Sequence, residues 1–151
     1  MPNYQQEFLS GVYVEIQHLI KDHWQEIAVN REHIKLNPDW DAYETLEKKN
    51  KLKIFTAREN NVLVGYFVVI IDFNIHYKDH LFAINDVLYL SKKHRKGFTG
   101  IKLVRFAENC LKADGVSVIT VNSKAHRPFN KLLEYMRYNM IETVYQKYIG
   151  D

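Results

Sequence analysis

The sequence holds a single cysteine, Cys110, so no internal disulfide can form, and the chain reads as one suited to a reducing, cytoplasmic compartment. Three prolines and six glycines in 151 residues leave no Pro/Gly-rich linker or low-complexity tract to divide it. The longest apolar run, Val62 to Ile71, contains Gly65 and Tyr66 and is far too short to cross a bilayer as a helix. Met1 to Glu7 show neither the basic start nor the apolar core of a signal peptide. Also missing are the Walker phosphate loop, the Gly-x-Gly-x-x-Gly of dinucleotide folds and the Gly-x-Ser-x-Gly nucleophile elbow. These absences exclude disulfide-stapled scaffolds, spanning helices and the common nucleotide and serine-hydrolase chemistries.

What is present is the composition of one soluble globular domain over residues 1–151, with 46% hydrophobic and 26% charged residues. The net charge is only +3, but Lys92, Lys93, Arg95, Lys96, Lys102 and Arg105 crowd one stretch, and Lys124, Arg127 and Lys131 form a second group. Such clustering suits a polyanion, either a nucleic acid or a phosphorylated small molecule. No nucleic-acid motif accompanies the charge, and the aromatics sit mostly at core spacing, which favours the small molecule. His76 and His80 lie four apart in a polar loop without a carboxylate or cysteine set beside them, so no metal site is expected.

Apolar periodicity lays out the elements. Ile16, Leu19, Ile20, Trp24 and Ile27 recur at helical spacing, and Asn37-Pro38-Asp39 opens a second helix with Trp40, Tyr43 and Leu46 inward. Strands follow at Leu52 to Ala57, Val62 to Phe73 and Leu81 to Leu90, with Asn60-Asn61 as a turn and Asn74 to His80 as a polar link. A helix carries Leu103, Val104, Ala107, Cys110 and Leu111 and ends at Asp114-Gly115. Then come a strand from Val116, a helix from Pro128 with Phe129, Leu132, Leu133 and Met136 inward, and a last strand from Ile141 to Ile149. Three consecutive strands followed by strand–helix–strand alternation predict an α+β domain with a mixed, mostly antiparallel central sheet and helices on both faces.

The chemistry concentrates in the turn Arg95-Lys96-Gly97-Phe98-Thr99-Gly100, which leads from a strand into a helix. The first amides of a helix have no intrahelical partner, and the dipole is positive there. With glycines allowing close approach and cations nearby, the turn is an anion site sized for a pyrophosphate.

Arg95-Lys96-Gly97-Phe98-Thr99-Gly100-Ile101-Lys102-Leu103-Val104 resembles the acetyl-CoA motif of the GNAT family of N-acetyltransferases. Arg95, Gly100, Leu103 and Val104 fall in register, Phe98 stands where the first motif glycine belongs, and Gly97 precedes it. Asp86-Val87-Leu88-Tyr89-Leu90 resembles the family's central strand, and Tyr135-Met136-Arg137-Tyr138-Asn139-Met140 its Tyr-x-x-x-Gly-Phe segment, with Asn139 for glycine. The resemblance implies an acyl-CoA-binding fold over nearly the whole chain, with the final hairpin shortened to about one strand. It implies that Leu88, Tyr89, Leu90, Arg95, Lys96, Gly97, Phe98, Thr99, Gly100, Ile101, Asn122 and Tyr135 bind acetyl-CoA, with Tyr135 as the acid for the departing thiolate. The partner would be an amine acceptor, small molecule or protein, entering between Asn30 to Trp40 and the C-terminal strand, and a second subunit, in a homodimer, would complete the shortened side.

The attacking amine must be neutral, which needs a base. Asp86, on the strand entering the motif, is the nearest carboxylate in sequence, with Glu32 and Asp72 as alternatives. Cys110 falls on the core face and reads as a small hydrophobe. Two rival readings stand beside the acyltransferase: a GNAT-like binding module without catalysis, and a basic nucleic-acid binder.

Overall fold

A computed structural model describes residues 1–151. Its elements are β1 (Asn3–Glu7), α1 (Leu9–Ile27), α2 (Trp40–Lys48), β2 (Leu52–Glu59), β3 (Val62–Asn74), β4 (Tyr77–Leu90), a 3-10 turn (Lys92–His94), α3 (Thr99–Ala113), β5 (Val116–Thr120) and α4 (Asn130–Tyr135). The strands form one sheet in the order β1-β2-β3-β4-β5. The first three pairings are antiparallel, and β4 with β5 is parallel, joined through α3.

The sheet is buried on both faces, and strand alternation assigns each side chain to one of them. Leu52, Ile54, Tyr66, Val68 and Tyr89 meet Leu9, Val12 and Ile16 of α1, with Trp40, Tyr43 and Leu46 of α2 packed around them. Phe55, Ala57, Phe67, Val69, Ile71 and Ala83 meet Leu103, Val104, Ala107 and Leu111 of α3 on the other face. These four α3 residues are fully buried and recur at the three-to-four spacing of one helical stripe. Emptying one of them, as in Leu103→Ala, costs about 2–5 kcal/mol.

Local chemistry explains the junctions. Asn60 and Asn61 both have positive φ, 50° and 67°, as the tight turn between β2 and β3 requires. Asp39 caps α2 by accepting from the Ala42 amide at 2.9 Å, so the cap is Asp39 rather than Asn37, and Pro38 lies outside the helix. Buried Arg58 ties β2 to β1 and α1 through Glu7 at 2.8 Å and Glu15 at 2.8 Å.

Four expectations are corrected. β1 is an edge strand that the pattern missed, because Asn-Tyr-Gln-Gln-Glu pairs along one side only and half-buries little beyond Tyr4. The polar link Asn74 to His80 is mostly strand, with Asn74 paired to Tyr77 across a two-residue turn; that hairpin tip projects past the core, leaving Phe73, Ile75 and Tyr77 exposed. The buried stripe of α1 runs Leu9, Val12, Ile16 and His23, so His23 rather than Trp24 faces inward. The expected strand Ile141 to Ile149 is absent: residues 137–151 carry neither strand nor helix, and the sheet ends at β5. β-propensity there is met by no partner edge, and a strand is defined by its partner.

Candidate active site

β4 and β5 are paired only from Leu81 to Ile84 on β4 and Val116 to Thr120 on β5. Beyond Ile84 the strands part, and one edge of β4 from Asn85 to Leu90 has no strand beside it. Asn85 holds the fork, its side-chain oxygen accepting the Asn122 amide at 2.7 Å. At the same place β4 carries a bulge: Val68 pairs with Val87 and Val69 with Asn85, leaving Asp86 as the extra residue. The gap opens into a cleft of about 780 Å³ walled by β4, the segment after β5, the start of α3, α4 and the C-terminal turn of α1.

The cleft brings together Asp86, Leu88, Tyr89, Leu90, Arg95, Gly97, Gly100, Ile101, Asn122 and Tyr135. Lys96, Phe98 and Thr99 do not line it, nor do Glu32 and Asp72. The Phe98 ring is 63% exposed, and its place before α3 is that of the N-cap, without a side-chain cap bond. The amides at the start of α3 therefore remain open, the first intrahelical bond running from the Lys102 N–H to the Phe98 carbonyl at 2.9 Å. Gly97 has φ +84°, a left-handed conformation that favours glycine. Gly100 serves packing: a Cβ there would stand 2.9 Å from Leu132 Cδ1 of α4.

Arg95 is expected to add free charge to the turn. Instead its guanidinium pairs with both oxygens of Glu26 on α1, each at 2.9 Å, donates from Nε to the Leu90 carbonyl at 2.7 Å, and lies over the Tyr89 ring. The free cations are elsewhere. Lys124 and Arg127 face each other across a tight turn between β5 and α4, and with Lys131 they line the cleft without a carboxylate partner.

Three side chains on the α1–α2 side are not assigned to the site by the sequence pattern, which marks Tyr43 only as an inward residue of its helix. Glu26 is one. His23 is 6% exposed, its Nδ1 lies 3.2 Å from the Tyr66 hydroxyl, and its ring stacks on Tyr89. Burial pulls its pKa down to about 4, so it is neutral at pH 7. Tyr43 of α2 donates its hydroxyl to Asp86 Oδ2. The Asp86 carboxyl is reached by water through the cleft, yet the walls around it desolvate the charge and raise its pKa, while the Tyr43 bond pulls the other way. Only the fold brings these residues to their partners, since each lies more than forty positions away in sequence.

Tyr135 is the last residue of α4, lines the cleft and is 65% exposed. Tyr138 is fixed elsewhere: its hydroxyl donates to Glu108 of α3 at 2.9 Å, and burial raises its pKa. The helix end after Tyr135 is closed by Arg137 at φ 66°, with the Tyr138 amide reaching back to the Leu133 carbonyl at 2.9 Å. The left-handed position expected at Asn139 is thus at Arg137.

The C-terminal segment leaves this helix end and meets the loop between α1 and α2, where Gln146 accepts from Asn30 at 3.4 Å and Tyr148 stacks on His33 at 4.3 Å between centroids. The two segments expected to flank an acceptor do meet, although the second is not a strand.

Solved structures share this fold over nearly the whole chain. A ribosomal-protein-alanine N-acetyltransferase from Brucella melitensis biovar Abortus 2308 matches with a TM-score of 0.73 at 18% identity, over 99% of this chain and 100% of that one. A predicted acetyltransferase with acetyl-CoA from Clostridium acetobutylicum matches at 0.70 and 13% identity, over 99% and 97%. The chain has the GNAT fold. A protein named as a transcriptional regulator from Bacillus halodurans C-125 shares it as well, with a TM-score of 0.76 at 15% identity over 99% and 100% of the two chains. No protein-family model and no curated protein sequence matches. In this chain the sheet ends at β5.

Proposed function

We propose that the chain is an acyl-CoA-dependent N-acyltransferase that moves an acetyl group from acetyl-CoA to an amine. The observation that carries the reading is the parting of β4 and β5 directly beside the uncapped start of α3. An open strand edge offers backbone groups to the amide-bearing arm of CoA, and a helix N-terminus beside it offers amides to the pyrophosphate. Both belong to one cleft of a size that accepts such a ligand. Gly97, Gly100 and Ile101 line the anion end, while Lys124, Arg127 and Lys131 supply the free positive charge. Arg95 acts by holding the turn against α1. Phe98 stands outside the cleft, so its ring leaves the anion site open.

The reaction is direct transfer in a ternary complex. The amine nitrogen attacks the thioester carbonyl, a C–N bond forms and the C–S bond breaks. Asp86 takes the amine proton, directly or through one water, and Tyr135 protonates the departing thiolate. The acceptor enters on the side of His23, Tyr43 and the α1–α2 loop, opposite the basic wall.

Calorimetric titration with acetyl-CoA tests the reading: micromolar binding is expected, and no heat at high micromolar ligand sinks it. Tyr135→Phe is expected to slow thiol release by about 10²-fold with CoA affinity unchanged; unaltered turnover removes Tyr135 from the chemistry.

A further inference from the structure

Asp86 is placed by a bulge, and its surroundings hold no cation. Tyr66 of β3 is near enough to feel its charge, with His23 of α1 and Tyr89 of β4 packed against Tyr66, and Glu26 is neutralised by Arg95. None of these donates to Asp86. The one group that does is the Tyr43 hydroxyl, on Oδ2, which leaves Oδ1 without a protein partner. Tyr43 itself is held by rings: Trp40 lies 5.7 Å away between centroids, and Trp40 meets Tyr13 of α1 edge-on at 5.2 Å. No residue of α2 lines the cleft.

We propose that Tyr43 is a positioning residue for the transfer reaction, holding the bulged Asp86 by one carboxylate oxygen so that the other receives the amine proton. The inference rests on the reading of Asp86 as the base. Without a partner on Oδ2, a carboxylate in this cleft is free to rotate, and desolvation favours its protonated form, which accepts no proton. A phenol bond to the charged form opposes both effects. It also joins α2, on the acceptor side, to the reacting carboxyl, so the aromatic row Tyr13–Trp40–Tyr43 becomes part of the active site without touching substrate.

The test reads Asp86 directly and needs no acceptor. The carboxyl carbon resonance of Asp86 in the full chain, assigned by its loss in Asp86→Asn, is titrated in wild type, in Tyr43→Phe, which keeps the ring, and in Tyr43→His, which keeps a donor. The expected result is a midpoint raised by about one pH unit in Tyr43→Phe and held closer to wild type in Tyr43→His. A midpoint unmoved by Tyr43→Phe overturns the proposal, as does equal displacement by both variants. A second readout separates this from the reading beneath it. Thiol release from acetyl-CoA with a set of primary amines should fall in Asp86→Asn, and the acid limb of its pH profile should move upward in Tyr43→Phe with KM for acetyl-CoA unchanged. Should Asp86→Asn turn over like wild type while the midpoint shift is present, the contact stands and the role of Asp86 as base fails.

Discussion

Arg95 and Glu26 form a two-pronged ion pair that ties the turn before α3 to the last turn of α1, with both N–O distances at 2.9 Å. The residue that matches the acetyl-CoA motif thus spends its charge inside the protein. A planar guanidinium meets both carboxylate oxygens at once, and an ammonium does not.

Two substitutions follow from this pairing. If Arg95 holds the turn rather than the ligand, Arg95→Lys and Glu26→Gln each weaken acetyl-CoA binding by roughly 5–10-fold, a loss of about 1 kcal/mol for a half-exposed pair. The double variant is no worse than either single one. Direct contact with the pyrophosphate gives the opposite sign for Glu26→Gln, since freeing Arg95 would then tighten binding. Calorimetry on the three variants decides.

Gly97 has open space around the position of a Cβ, so Gly97→Ala meets no clash and bears only on the backbone, at φ +84°. The expected destabilisation is about 1–2 kcal/mol in urea unfolding. Acetyl-CoA affinity should fall with it, because the same conformation presents the amides of the turn.

His23 gives a pH dependence of stability. Its folded pKa of about 4 lies below the ordinary 6.5, so the unfolded chain binds the proton more readily. Its neutral form is held without penalty above pH 6.5. The penalty grows as pH falls from 6.5 toward 4 and then levels, reaching on the order of 3 kcal/mol. In His23→Gln, which can still bond the Tyr66 hydroxyl, urea midpoints at pH 7 and pH 5 should lie closer together than in wild type.

Residues 139–151 make no backbone hydrogen bond, and Met140, Ile141, Val144, Tyr145 and Ile149 are each three-quarters or more exposed. Ending the chain after Tyr138 keeps the Tyr138–Glu108 bond and should leave the melting temperature within a few degrees. Acetyl-CoA affinity should be unchanged, while KM for an amine acceptor rises, since the lost segment meets the α1–α2 loop through Gln146 and Tyr148.

The core was legible because its signals are local. The spacing of Leu103, Val104, Ala107 and Leu111 marks the buried face of α3, and Asn60-Asn61 marks a turn that needs two left-handed residues. β1 and the β3–β4 tip were not legible: β1 is a wet edge without the alternation of a half-buried strand, and at the tip the polar residues Asn74, His76, Lys78, Asp79 and His80 read as a link although Phe73, Ile75 and Tyr77 alternate with them. The α1 stripe was off by one residue at its end, where a histidine takes an apolar place.

Sequence alone therefore determined the order of most elements, the helix start that follows a Gly-containing basic turn, and the tyrosine at the end of α4. Each is set by residues within one or two turns of one another. The tertiary structure alone decided that Glu26 takes Arg95, that Asn85 holds the fork of β4 and β5, that Tyr43 reaches Asp86 and that His23 lines the cleft. It also left Ile141 to Ile149 unpaired, against their local preference. Hydrogen bonds and strand pairings between distant residues depend on where the sheet ends and how strands part, and no local spacing encodes that.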